Sequence, residues 1–455
     1  MTILENRLRK DREEQQRAEE YVESLAAVKP SDDEMDIVNL IINTVSQKYK
    51  QRIADEGLTD NVKNAITQQV DKEINALIEG EYEKRSRIKR LVITSMFGLG
   101  PLEPYMKRSS KATDSIVQRY DSICIEDETG MHRVPAQFNN EQHLLNVIQR
   151  IVQEVGRQIN LATPTVNAKL KDGSRVHATI PPISPDGATL TIRRFNTRKL
   201  DAEDYLSLGT MNADMLSFLK SAVLAKLNIL VCGGTGSGKT TLLNMLSGFI
   251  PENELIITVE DNCELQLRQP NVRRLEAREA MGDMAAIDIQ ALVKETLRMR
   301  PDRIVVGEVR DGTVVDMFSA MSTGHEGSMS TIHTDSPQAL IGSRLPTLFS
   351  QYKGGSFNRD TQIYMTSEAL QLIVQISREP GGRRRVTHIT AVDGIDPVTS
   401  QIKLVDIYRY DRLQDSFHVV SAPPAYLLSR FKDLHVDLDI RPYQQFLSKE
   451  ESMLW

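Results

Sequence analysis

Residues 233–240 read Gly-Gly-Thr-Gly-Ser-Gly-Lys-Thr and fit the pattern Gly-x-x-x-x-Gly-Lys-Ser/Thr completely. Each residue type has a chemical reason to be there. Gly233, Gly234, Gly236 and Gly238, with Thr235 and Ser237 between them, form a loop whose N–H groups can turn inward around phosphate oxygens. A Cβ at the glycines would block that approach. Lys239 supplies a point charge for the β- and γ-phosphates, and Thr240 offers a hydroxyl to Mg2+. Thr241 continues into a helical stretch whose amino end favours an anion. The loop follows the apolar run Asn228–Cys232, the strand-then-helix context that the pattern requires. It predicts an NTPase site for a nucleoside triphosphate, ATP, and Mg2+.

Two further strand-like runs end in carboxylates. Leu255–Val259 leads into Glu260-Asp261, and Ile304–Gly307 leads into Glu308. In open α/β sheets ligands sit at the carboxyl ends of strands, so both acids could reach the nucleotide. Glu308 occupies the place of the Mg2+-holding acid of P-loop enzymes, a position more often Asp. Glu260 and Glu308 are both candidates for holding Mg2+ and for general base, and the residues alone leave the choice open. Downstream, His325 and His333 lie eight residues apart among glycines and hydroxyls. No third ligand is spaced to make them a metal site. A sensor of the γ-phosphate is the more natural reading, because imidazole N–H groups can bond an anion.

These residues need a scaffold. From Met211 onward strand-like runs (Asn228–Cys232, Glu254–Glu260, Arg303–Gly307, Gly327–Thr331) alternate with helical ones, which predicts a parallel sheet with helices on both faces. Before them, residues 101–197 have an α+β texture. Ser122–Glu126 and Ala188–Phe195 are strand-like, Glu141–Gly156 is an amphipathic helix, and Val166–Thr179 reads as a hairpin around Asp172-Gly173. Earlier still, Ser31 and Glu34 form a capping box ahead of Ile37, Leu40, Ile41 and Val45. Two more amphipathic segments follow before Gly98-Leu99-Gly100-Pro101, so three helices form a small bundle. The basic run Lys84–Arg90 reads as a solvated face of the third helix. The expected parts are a charged extension over 1–30, a helical bundle over 31–98, an α/β clamp domain over 99–197, a linker over 198–210 and the nucleotide-binding domain over 211–455.

Composition bounds the rest. The chain has 455 residues, 40% hydrophobic and 26% charged, with 56 Lys+Arg against 62 Asp+Glu. That excludes wholesale disorder and collagen-like or disulfide-scaffold classes. A net charge of −6 lacks the basic excess of a dedicated nucleic-acid binder, so no nucleic-acid partner is expected. Cys124, Cys232 and Cys263 are isolated from one another, arguing against disulfides and zinc knuckles. No apolar leader opens the sequence and no run approaches the ~18 apolar residues of a membrane span. A reducing, cytoplasmic setting is expected.

The ordered boxes GGTGSGKTT, VEDNCELQL, RMRPDRIVVGEVRDG and STGHEGSMSTIHTDSP resemble the Walker A, Asp box, Walker B and His box of the secretion and pilus-assembly ATPases of the type II/type IV superfamily. The flanks GLGPLEPYM, DSICIEDETG, PTVNAKLKDGSRVHATIPPIS with TIRRF, and LDAEDYLSLGTMNADMLSFLKSAV, with the tail IYRYDRLQDSFHVVSAPPAYLLSRF, look like its CpaF/TadA branch, which drives Tad (Flp-type) pilus assembly. The four-cysteine zinc module of many type II relatives is missing. Where the branch often shows an ITDIMVNG-like segment, this chain reads Thr113–Tyr120 differently. The resemblance implies an α/β fold whose C-terminal domain is a RecA-like P-loop NTPase, preceded by an α/β N-terminal domain. It also implies an ATP-hydrolysing homo-hexamer at the inner face of the cytoplasmic membrane, docked on platform proteins without a transmembrane segment of its own. By the same resemblance Arg175, Arg193 and Arg194 clamp phosphate, and Arg310 approaches the nucleotide from beside Glu308. A DNA-transfer ATPase of the same superfamily and an ATP-gated scaffold are the alternatives.

Overall fold

The computed structural model describes residues 30–447 apart from 79, 108, 128, 196–198 and 281–283; the charged extension expected over 1–30 lies outside the described residues but for Pro30. The chain divides into two compact units between Asn196 and Thr197.

The first unit begins with helices α1 (Asp32–Glu56), α2 (Asp60–Leu77) and α3 (Tyr82–Phe97). Ser31 and Glu34 make the expected capping box, and Thr59 caps α2. Val38, Ile41 and Val45 of α1 bury against Val62, Ile66, Val70 and Ile74 of α2 and Ile88 and Val92 of α3. The basic run is used in pairing: Arg87 bonds the buried Glu34 of α1, and Lys89 sits 2.6 Å from Asp71 of α2.

Six strands follow: β1 (Asp114–Arg119), β2 (Ser122–Asp127), β3 (Gly130–Val134), β4 (Thr165–Lys169), β5 (Arg175–Thr179) and β6 (Thr189–Arg193), with α4 (Glu141–Glu154) between β3 and β4. The divergent Thr113–Tyr120 segment thus supplies β1. The sheet runs β3-β2-β1-β6-β5-β4, antiparallel throughout. Leu144, Val147, Ile148, Ile151 and Val152 of α4 pack on one face against Val117, Ile123, Val176 and Leu190. Arg150 of α4 donates to the Met96 carbonyl at 2.7 Å and to that of Gly98, closing the carboxyl end of α3. Asn139 and Asn39 bond at 2.7 Å. The bundle and the α/β part, expected as separate domains, are therefore one compact unit.

A buried histidine makes this unit acid-sensitive. The Asn139 N–H donates to His143 Nδ1 at 3.3 Å, so the neutral ring carries its proton on Nε2, which is buried without a hydrogen-bond partner among the described residues. Burial, reinforced by the Arg150 charge, pushes the His143 pKa down to about 4. Between about pH 6.5 and pH 4 the unfolded chain therefore binds a proton that the folded unit refuses. Stability is full above that window and falls as pH drops through it, by up to about 3 kcal/mol. Thermal unfolding between pH 7.5 and 4.5 should show this loss, and His143→Gln should flatten it.

The second unit carries α5 (Ala213–Leu224), β7 (Ile229–Gly233), α6 (Lys239–Ser247), β8 (Ile256–Glu260), β9 (Val272–Glu276), α7 (Ile289–Thr296), β10 (Arg303–Val309), α8 (Thr313–Ser322), β11 (Met329–His333), α9 (Arg359–Ala369), β12 (Leu372–Arg378), β13 (Arg384–Ile395), β14 (Ile402–Asp411), β15 (Ser416–Val419) and α10 (Ala425–Asp433). Its sheet runs β15-β14-β13-β12-β7-β11-β10-β8-β9. The six strands from β12 to β9 are parallel, but β13, β14 and β15 are an antiparallel meander, so the sheet is mixed where the sequence pattern predicts a parallel one. β7 and β8 are buried along their whole length, as strands covered on both faces must be. One face packs α5, α6 and α10 through Phe218, Leu242, Leu246 and Phe431; the other packs α7, α8 and the residues before α9 through Val293, Phe318, Leu345 and Phe349. The expected linker over 198–210 belongs to this unit, because residues 202–207 are helical and Tyr205 is buried in its core.

Candidate nucleotide site

The loop at the carboxyl end of β7 has the shape that its glycines predict. Gly236 (φ +69°) and Gly238 (φ +96°) are left-handed, and Gly238 caps α6. A Cβ on Gly233 would overlap the Ile376 carbonyl of neighbouring β12 and the Ser237 hydroxyl. Ser237 Oγ and Lys239 Nζ each donate to the Gly234 carbonyl at 2.9 Å, drawing both side chains over the loop. Thr240 and Thr241 stand half-buried in the first turn of α6.

Strand pairing sets what surrounds this loop. In the parallel register His333 lies opposite Gly233, so the exposed His333 flanks the loop's first residue. Beyond β11 come β10 and β8, which deliver the two carboxylates side by side. A Cβ on Gly307 would lie 3.0 Å from Glu260 Cγ. Neighbouring strands are about 4.8 Å apart, so Glu308 stands two strand spacings, about 10 Å, from the loop's strand. That is within reach of one triphosphate.

The two acids differ in environment. Glu308 bonds Arg310, whose Nη2 lies 2.6 Å from its Oε2, and Arg310 also reaches Asp261 at 3.3 Å. Burial opposes the Arg310 charge, but these carboxylates outweigh it and raise its pKa. Glu260 is 2% exposed. Its Oε2 accepts from the Glu264 and Leu265 N–H groups, both at 2.8 Å, while its Oε1 is buried with no hydrogen-bond partner among the described residues. Burial raises the Glu260 pKa against the lowering pull of those N–H groups. A proton acceptor for chemistry near neutral pH needs such a setting.

His325 is not brought to this place. It precedes β11, at the amino end of the sheet, and His333 follows the strand's length, about 15 Å away. The next turn is tied to Asn228, ahead of β7, through the Gly327 and Ser328 N–H groups. The expectation that both histidines meet the nucleotide therefore fails for His325, because the five-residue β11 separates them.

The other arginines lie in the first unit. Arg175 and Arg193 are direct cross-strand neighbours on β5 and β6, and Asp114 of β1 flanks Arg193 in the same row. The structure gives Arg194 a different occupation from its neighbours. It donates to the carbonyls of Ser110 and Ala112 at 2.7 Å and of Lys107 at 2.6 Å, holding the loop before β1. Arg194→Ala should destabilise the first unit by about 2–4 kcal/mol through the loss of three charge-assisted hydrogen bonds, read as a lowered melting temperature. A variant with wild-type melting but weakened ATP binding would return Arg194 to the clamp.

Two arginines that sequence reasoning missed stand beside the loop. Arg378 and Arg384 are paired across β12 and β13. Arg378 Nη1 lies 3.6 Å from where a Gly236 Cβ would sit, and Arg384 Cγ lies 3.9 Å from that of Gly238. Arg383–Asp415 (2.9 Å) and Arg412–Glu379 (2.9 Å) hold the surrounding turn. Their only local signal was the run Arg383–Arg385 after Gly381-Gly382.

The chain is similar in sequence to known proteins. Residues 96–390 match the family model described as "Type II/IV secretion system protein". A Mycobacterium tuberculosis (strain ATCC 25618 / H37Rv) protein, whose name assigns it provisionally to conjugal transfer, is 33% identical over 330 residues, 71% of this chain and 92% of that one. The type IV secretion system protein VirB11 of Bartonella quintana (strain Toulouse) is 29% identical over 326 residues, 64% of this chain and 91% of that one. Among solved structures, the VirB11 ATPase from the Brucella suis type IV secretion system, in complex with sulphate, matches with a TM-score of 0.36 and 25% identity over 65% of this chain and 97% of that one. The α/β fold expected from the sequence, with a RecA-like P-loop unit after an α/β unit, is the fold of this chain, and the chain belongs to the type II/IV secretion system protein family.

Proposed function

We propose that this protein is an ATP-hydrolysing motor that powers secretion or pilus assembly. One observation carries the reading: a complete P-loop shares the carboxyl edge of one sheet with Glu260, Glu308 and His333. The loop fits a polyphosphate, because Gly236 and Gly238 take left-handed conformations with no side chain to crowd the backbone N–H groups, and Lys239 Nζ is drawn over the loop. Lys239 contacts the β- and γ-phosphates. The Thr240 hydroxyl and the Glu308 carboxylate are hard oxygen donors suited to Mg2+, which would screen the phosphate charge when bound. Glu260 accepts the proton of the attacking water through its bare Oε1, Arg310 holds the Glu308 carboxylate in place by their ion pair, and His333 senses the γ-phosphate. Arg175 and Arg193 are the proposed clamp of the first unit, and Arg378 and Arg384 bond the nucleotide from the β12 side.

The motor works as a homo-hexamer in the cytoplasm, docked on inner-membrane platform proteins. Among the described residues no helix is long and apolar enough to cross a membrane. The flanking segments quoted above favour Tad pilus assembly. Relatives named for conjugal transfer favour a second reading, a DNA-transfer motor. Phosphate release from MgATP with and without DNA separates them. The pilus reading expects no stimulation, whereas DNA transfer expects stimulation that falls steeply with salt.

A further inference from the structure

The amino edge of the second unit's sheet holds a buried knot that no nucleotide role explains. Asn228 is 2% exposed and joins three strands and two helices. Its Oδ1 accepts from the Gly327 and Ser328 N–H groups at 2.8 and 3.0 Å. Its Nδ2 donates to the carbonyls of Ala369 at 2.7 Å and Met321 at 3.4 Å, at the ends of α9 and α8. Its own N–H donates to Gln371 Oε1 at 2.9 Å, just ahead of β12. Arg303, fully buried at the start of β10, is paired with Glu254 at 2.5 Å and donates to the Gly327 carbonyl at 3.2 Å. Gly327 has φ +78°, and a Cβ there would overlap Arg303. Ser328 Oγ donates to the His325 carbonyl at 2.6 Å and accepts from the Ile304 N–H at 3.2 Å.

The Asn228 amide oxygen, the Arg303 guanidinium and the Ile304 N–H all bond the two residues that precede β11, Gly327 and Ser328. A strand's side chains alternate, so a one-residue slip turns every one to the other face. Fixing the start of β11 therefore fixes where His333, at its other end, meets Gly233. We infer that Asn228 is a positioning residue for nucleotide hydrolysis. By anchoring Gly327 and Ser328 it sets the axial position of β11 and so places His333 against the phosphate loop. The inference rests on the role proposed above for His333. It also gives the Gly324–Ser328 stretch, including His325, a job at the edge where the structure places it.

The test is a double-mutant cycle on the full chain, with phosphate release and MgADP affinity measured for Asn228→Ala, His333→Ala and the double variant. Asn228→Ala is expected to lower kcat about tenfold while MgADP affinity stays within about threefold, and the double variant to turn over no more slowly than His333→Ala. Losses that multiply in the double variant would mark Asn228 as a general structural residue and overturn the inference. So would wild-type kcat in Asn228→Ala. Wild-type kcat in His333→Ala would overturn the His333 role itself, and the inference with it. If Asn228→Ala does not fold, Ser328→Ala, which removes only two bonds, enters the same cycle with the same outcomes.

Discussion

Glu260→Gln should bind MgADP as tightly as the wild-type chain and hydrolyse ATP about 10^3-fold more slowly. The substitution keeps the shape and one oxygen for the Glu264 and Leu265 N–H groups, so the β8 end should hold its conformation. What it removes is a carboxylate whose Oε1 is buried without a protein partner and whose pKa burial raises. Glu308 cannot substitute cheaply, because its charge is already neutralised by Arg310 at 2.6 Å. The pH profile gives an independent reading. A base with a raised pKa must lose its proton before it can act, so wild-type kcat should fall on the acid side, with a midpoint above the usual carboxylate range. Undiminished turnover in Glu260→Gln would transfer the proton to Glu308.

Gly233→Ala should abolish nucleotide binding and destabilise the second unit, although it adds only one methyl group. That Cβ would overlap a backbone carbonyl, of Ile376, and the Ser237 hydroxyl. A side chain could turn away; the carbonyl belongs to the buried core strand β12 and cannot move without disturbing its ladder with β7. Over-packing of this kind costs about 1–3 kcal/mol and more where backbone must shift. MgADP titration should show no saturable binding, and the melting temperature should fall. Gly234→Ala is the contrast, since a Cβ at Gly234 meets nothing within 4 Å.

How much was legible in the sequence depended on how local each feature is. The P-loop is one contiguous signature, and strands β7, β8 and β10 are short, mainly apolar runs, so both could be read residue by residue. The meander β13–β15 escaped because its strands mix Arg, Asp, Thr and Tyr with apolar residues, and burial alternates only partly along them. Arg378 and Arg384 escaped for another reason. They reach Gly236 and Gly238 only because β12 pairs with β7, about 140 residues earlier, and no local pattern carries a sheet order. The histidines show the opposite error. Eight residues look close in sequence, but a five-residue strand places His325 and His333 at opposite edges. Arg194 and Arg193, by contrast, are adjacent and identical in type. Only the hydrogen bonds of Arg194 to Lys107, Ser110 and Ala112 separate a loop-holding residue from a candidate clamp.

The central claim is that the β7 loop binds and turns over ATP, and steady-state phosphate release from MgATP by the full chain and by Lys239→Ala tests it most directly. Removing the Lys239 ammonium takes away the one P-loop charge, the group proposed to meet the β- and γ-phosphates. The account predicts saturable, Mg2+-dependent release by the wild-type chain and none above background in the variant. Equal release by both, or none by either with MgADP failing to bind the wild-type chain, would contradict it.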